Sequence, residues 1–172
     1  MSISLYDATV ATFLQTLAAL EGVLARGSDY LREHGIDPQE ITQSRLHPDM
    51  LPFTFQVASV VKHSVGAVQA LQSGTFTPPR TPELDYAGLQ SAVTEARESL
   101  AKISADEVNG YAGRDVQFQL GERTIPFTAE DFLLSFSVPN FFFHASMTYA
   151  ILRAKGVPLG KRDFLGRLRI KR

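Results

Sequence analysis

The stretch PNFFFHASMTYAILRAK, which covers residues 139–155, decides the fold of this chain. Its length predicts a long helix, and its apolar residues lie around nearly the whole circumference instead of along one stripe. A helix without a polar face is buried on more than one side. Pro139 is expected to open this helix, and Gly156 and Pro158 are expected to close it. We therefore predict a mostly α fold in which this helix packs against several others.

Three further long helices are predicted upstream of it. The first begins at Tyr6 and is expected to end at Gly27, because glycine closes a helix at little cost. The second begins near Asp49 or Met50 and ends at Gly74. The third is the clearest amphipathic helix of the chain, since its apolar residues recur at steps of three and four. These residues are Tyr86, Leu89, Val93, Ala96, Leu100 and Ile103.

The connections between these helices are long and include a small β element. Residues 35–52 form a linker with one helical turn at residues 39–42. A β-hairpin is predicted over residues 116–120 and 124–127, which lie on either side of Gly121-Glu122. Thr128 is expected to cap a short helix over residues 129–137. We predict one domain, residues 1–172, with a four-helix bundle, one or two long crossover connections and a small hairpin before the last helices.

Composition excludes several classes of function. The 17 basic and 18 acidic residues give a net charge of −1, so no overall field favours nucleic acid or an anionic membrane. Cysteine is absent, which excludes disulfides, a thiol nucleophile and Cys-ligated metals. We find no phosphate-binding glycine loop and no nucleophile elbow. We find neither a signal peptide nor an apolar stretch near the ~18 residues that span a bilayer, so we expect a cytoplasmic protein.

Charge is nevertheless uneven along the chain. Residues 153–172 contain eight Lys or Arg and one Asp, a net charge of +7, so the other 152 residues sum to −8. A basic segment of this kind could contact phosphates. Because the rest of the chain is acidic and the segment also carries apolar residues, we expect it to dock on the body of the protein and not to bind nucleic acid.

Two of the four histidines lie where the predicted bundle would bring them together. His144 lies within the apolar fourth helix, one turn after Asn140, and His63 lies at the edge of the apolar stripe of the second helix. If these helices are neighbours, His63, Asn140 and His144 converge. The alternative is structural: a histidine among phenylalanines bonds to a nearby polar group, and an Asn beside a Pro caps a helix. His34 and His47 lie at helix ends and are weaker candidates.

Three motifs resemble a known family: PNFFFH at residues 139–144, GKRDFLG at residues 160–166 and PDMLPF at residues 48–53. The chain is similar over essentially its whole length to the family catalogued as domain of unknown function nineteen-ninety-three. That family is grouped with the DinB-like (YfiT-like) four-helix bundles, many of which are metal-dependent enzymes or thiol transferases. The resemblance implies a metal held by three histidines, at positions that here are His63, Asn140 and His144.

This chain departs from that pattern in two places. Asn140 is a weak neutral ligand where an imidazole is expected, and ASM at residues 145–147 replaces the Arg-Gly-Gln of metal-binding relatives. Any site for a divalent metal such as zinc or nickel should therefore be weak.

Two functions stay open at this point. One is an enzyme acting on a small molecule in a pocket between the second and fourth helices, with His144 and His63 as catalytic residues, either through the metal or by acid/base chemistry. The other is a non-catalytic helical module that binds a ligand or partner. A homodimer through the fourth helix is expected with either, because one bundle core cannot cover that all-round apolar surface.

Overall fold

The first bundle helix is longer than the sequence predicts. The computed structural model describes residues 3–171. A short helix, α1 (Leu5–Ala8), leads into the first bundle helix, α2 (Val10–His34). The helix ends at Gly35, whose φ of 63° is the left-handed conformation of a C-terminal cap, so the predicted end at Gly27 is wrong. Gly27 is instead a contact point inside α2, since a Cβ there would collide with the Tyr86 hydroxyl.

The second bundle helix is split into two segments. The turn α3 (Pro38–Thr42) precedes it as predicted, but α4 (Phe53–Lys62) begins after Pro52 and not near Asp49 or Met50. The break falls at His63 and Ser64, and α5 (Val65–Ser73) continues to Gly74, which confirms the predicted end. The Ser64 hydroxyl donates back to the carbonyls of Val60 and Val61.

The third bundle helix, α6 (Tyr86–Ala101), matches its predicted amphipathic pattern. Asp85 caps it by accepting from the Gly88 N–H, and the short α7 (Ala105–Asn109) follows. The stripe predicted from the sequence faces the core, where all of its residues except Ile103 are buried: Tyr86, Leu89, Val93, Ala96 and Leu100.

A three-stranded sheet lies beside the bundle. The predicted hairpin is confirmed as β2 (Asp115–Leu120) and β3 (Arg123–Thr128), which pair antiparallel. A strand that the sequence did not predict, β1 (Thr75–Phe76), pairs parallel with β2, with Phe76 opposite Phe118. Two residues are too few to show an alternating pattern. The sheet packs on a small second core that includes Phe76 and Phe132.

The last bundle helix continues directly from the sheet. Thr128 caps α8 (Ala129–Asp131), a π-helical turn covers Phe132–Ser137, and α9 (Val138–Ala154) follows without a break. Pro139 therefore does not separate two helices as expected. A proline ring clashes with the carbonyl four residues earlier in a regular α-helix, and the wider π turn just before it relieves that crowding.

The four bundle elements pack in pairs, and the C-terminal segment lies on the first of them. α2 packs against α6, and α4 packs against both α9 and α6. α10 (Lys161–Leu165) lies on α2, where the Arg26 guanidinium is 3.1 Å from the Asp163 carboxylate. The expected docking of this segment is thus seen through α10, while Leu168 and Ile170 beyond it are exposed.

One helical stretch resembles a membrane span by composition. Leu5–His34 contains an 18-residue window of mean hydropathy 1.4, which corrects the expectation that no stretch of this length is so apolar. Half of that window is buried inside the fold, as in the core helix of a globular bundle. Phe13, Leu17 and Leu20 are among its core residues.

Candidate functional site

His63 and His144 meet across the contact between α4 and α9. Their ring centroids are 6.1 Å apart, and the ring planes lie within 15° of parallel. His63 is the residue that caps the C-terminal end of α4, and only 3% of its surface is exposed, whereas His144 is half-buried in the middle of α9. The predicted convergence of these two helices is therefore present in the structure.

The His144 ring is fixed in one tautomer by a chain of hydrogen bonds. The Gln56 amide nitrogen donates to the Leu51 carbonyl at 2.9 Å, so the amide oxygen of Gln56 is the atom that faces His144. That oxygen lies 2.8 Å from His144 Nδ1 and can only accept a hydrogen bond, so Nδ1 carries the hydrogen. The Nε2 atom of His144 consequently carries the free lone pair.

Both imidazoles are held in the neutral form. Burial, together with the nearby His144 ring and the Lys62 ammonium, lowers the pKa of His63 to about 3. Burial also lowers the pKa of His144 to about 4. Neutral imidazoles accept protons or donate a lone pair to a metal, so both rings have the protonation state that either function requires.

Aromatic side chains surround the two rings. Phe76 of β1 and Phe136 of the π turn lie 5.2 and 5.4 Å from the His63 ring, centroid to centroid. Phe55 and Phe143 pack edge-on against His144 at 5.8 and 5.1 Å. Phe143 is 52% exposed, so the aromatic wall reaches the protein surface beside His144, whereas His63 itself is only 3% exposed.

Asn140 has a different role from the one that the three-ligand pattern implies. Its side-chain nitrogen donates to the Phe136 carbonyl at 2.8 Å, one turn back at the junction of the π turn and α9. Among residues 3–171 there is no group of three His, Cys, Asp or Glu side chains that could hold a metal ion. The two imidazoles suit a borderline divalent metal, but the third position does not complete a tight site.

Buried hydroxyl groups line the same helix faces. Three buried polar atoms have no hydrogen-bond partner among the described residues: the Oγ atoms of Ser59 and Ser137 and the Nδ1 atom of His63. Ser59 lies one turn before His63, and Ser137 lies two turns before His144. Unpartnered buried polar atoms are unusual in a packed core and concentrate here near the histidines.

The remaining histidines and a cleft beside α3 lie apart from this pair. His34 contacts the Tyr30 carbonyl at the end of α2, and His47 contacts the Asp49 carboxylate in the linker. A cleft of about 610 Å³ lies between α3 and the segment leading into α6, and neither His63 nor His144 lines it. The site residue that sequence analysis missed is Gln56, although it lies two turns before His63 on the same face of α4.

Comparison with known proteins agrees with this fold. A family model described as Domain of unknown function (DUF1993) matches residues 5–165. The crystal structure of a DinB family member protein from Shewanella denitrificans superposes with a TM-score of 0.78 and 24% sequence identity, covering 98% of this chain and 95% of that one. No curated protein sequence matches the chain.

Proposed function

Because the chain belongs to the family described as Domain of unknown function (DUF1993), for which the matching model implies no reaction, we propose its function from the histidine pair. The protein is a small-molecule enzyme in which His144 is the acid/base group and His63 is its neighbour in the site. The observation that carries this proposal is the orientation of His144 by Gln56 and the Leu51 carbonyl, which leaves Nε2 free.

The chemistry follows from that orientation. Nε2 of His144 takes a proton from a substrate that enters beside Phe143, and Nδ1–H keeps its bond to the Gln56 oxygen. Since Gln56 is uncharged, it orients the ring without stabilising the imidazolium as a carboxylate would, and the proton is therefore returned readily. A pKa of about 4 keeps the His144 ring unprotonated at neutral pH, so Nε2 is available to accept a proton.

A divalent metal is the other ligand that the two rings could bind. His63 and His144 would hold zinc or nickel weakly through their lone pairs, because Asn140 bonds to the Phe136 carbonyl. The proposed acid/base chemistry does not depend on a metal.

The test begins with the ring itself. Two-dimensional ¹⁵N–¹H NMR of the imidazoles should show the Nδ1–H tautomer for His144 in the wild type and a mixture of tautomers in Gln56→Leu. A panel of small polar molecules is then screened by thermal shift on the wild type, His144→Gln and the control His47→Gln. Ligands that stabilise the wild type and His47→Gln but not His144→Gln support the proposal. An Nε2–H tautomer for His144 in the wild type would refute it.

A second function is favoured by one observation on α9. Phe143 is 52% exposed and Leu134 in the preceding π turn is 48% exposed, so this element presents apolar surface to solvent. We propose as the alternative a partner-binding module, with a homodimer through α9 as its simplest form. We also propose a cytoplasmic location, which the burial of much of Leu5–His34 supports.

A further inference from the structure

Two basic side chains line a small cleft that neither His63 nor His144 lines. Lys62, at the end of α4, and Arg80, in the segment between β1 and α6, both border a cleft of about 220 Å³ over the first turn of α5. The remaining lining is apolar or uncharged and contains no acidic residue: Ala58, Val61, Val65, Gly66, Gln69 and Pro79.

Lys62 is held in place over this cleft. Its Nζ lies 4.9 Å above the centroid of the Phe76 ring. Its stem crosses α5 at Gly66, where a Cβ atom would come within 2.9 Å of Lys62 Cδ. A Cβ at position 66 would push this stem aside, so the glycine leaves room for the Lys62 side chain to lie along the cleft.

Neither cation has an anionic partner in the part of the chain that the structure describes. The ion pairs within residues 3–171 involve Arg26, Arg32, His47 and Arg97, and none includes Lys62 or Arg80. Lys62 is also partly withdrawn from water, being neither fully buried nor exposed. A partly desolvated cation is costly unless an anion or a ring face compensates, and Phe76 supplies only the ring face.

We infer that this cleft binds the anionic group of a small molecule, either a phosphate or a carboxylate. The ammonium of Lys62 supplies a point charge, and the guanidinium of Arg80 supplies paired donors that match either oxyanion. The cleft is smaller than the roughly 300–1,000 Å³ of a typical ligand pocket, so it accommodates one such group and not a whole large ligand. The inference stands apart from the proposed function, since it requires neither histidine.

The experiment measures binding of inorganic phosphate and of acetate to the full chain at low salt, by calorimetry and by ¹⁵N–¹H shifts of the Gly66 amide. The wild type should bind at least one of the two anions, and the preferred one identifies the group. Lys62→Gln should weaken binding about tenfold, and Arg80→Gln should weaken it in the same direction. The exposed Lys102→Gln is the matched control and should bind as the wild type does.

Gly66→Ala provides a second variant that keeps both charges. It should weaken binding by displacing the Lys62 stem, while circular dichroism reports an intact helix content. The inference is overturned if the wild type binds neither anion at about ten millimolar, if folded Lys62→Gln binds as the wild type does, or if Lys102→Gln weakens binding equally. Equal binding by Gly66→Ala and the wild type would also overturn it.

Discussion

Acid should destabilise this protein through the two histidines that meet between α4 and α9. The unfolded chain takes up a proton on each imidazole near pH 6.5, whereas in the folded chain the pKa of His144 is about 4 and that of His63 is about 3. Between these values the unfolded state binds more protons, so the free energy of unfolding falls as the pH falls. Stability is highest above pH 6.5 and declines steadily toward pH 4.

The size of the effect follows from the pKa values. One pKa unit corresponds to about 1.4 kcal/mol, so at pH 5 His63 destabilises the folded state by about 2 kcal/mol relative to pH 7 or above. His144 is partly exposed and contributes the smaller share. A combined loss of up to about 4 kcal/mol is a large fraction of the roughly 5–15 kcal/mol that stabilises a domain.

Urea unfolding followed by circular dichroism at pH 7.5, 6.5, 5.5 and 5.0 measures this loss. The double variant His63→Leu, His144→Gln lacks both titrating rings, and its stability should vary much less over the same range. His34→Gln removes an exposed imidazole and serves as the matched control, which should follow the wild type. Parallel curves for the wild type and the double variant would show that the two buried rings do not resist protonation, and the reasoning would fail.

The other predictions concern single positions. Gly27→Ala should lower the free energy of unfolding in urea by about 1–3 kcal/mol, because its Cβ would meet the Tyr86 hydroxyl. The control Gly22→Ala has nothing within 4 Å of its Cβ and should stabilise α2 by up to about 1 kcal/mol. Light scattering at micromolar concentration should give a dimer for the wild type and a monomer for Phe143→Ser; a monomeric wild type contradicts the dimer. Asn140→His should raise zinc and nickel affinity in calorimetry, and an unchanged affinity in a folded variant means that the three positions do not converge.

Sequence periodicity is sufficient to predict the helices of the bundle but not the residues at which they end. The α6 stripe was predicted residue by residue, because an exposed amphipathic helix shows its buried face directly. Gly27 was misassigned because glycine serves two purposes: it ends helices with a positive φ, and it lets another group approach closely. Gly35 has the first role here and Gly27 has the second. Only the position of Tyr86, 59 residues later in the chain, distinguishes them.

The candidate site was predicted in outline and not in its hydrogen bonding. Helical spacing and the family resemblance placed His63 near His144, and the structure brings their rings together. The role of Gln56 depends on which end of its amide faces the ring, and the Leu51 carbonyl decides that. Asn140 was expected either as a ligand or as a cap, and its side chain instead bonds the carbonyl of Phe136 at the π turn.

The small sheet beside the bundle also covers one side of the His63 ring. Phe76 and Phe136 cover its ring, and Phe118 of β2 packs on both at 6.0 and 4.9 Å. A sheet of two six-residue strands and one two-residue strand is a weak element that opens more often than the helices do. Opening of the sheet would therefore expose the Phe76 side of this imidazole to water or a reagent, and the bundle itself can stay intact throughout.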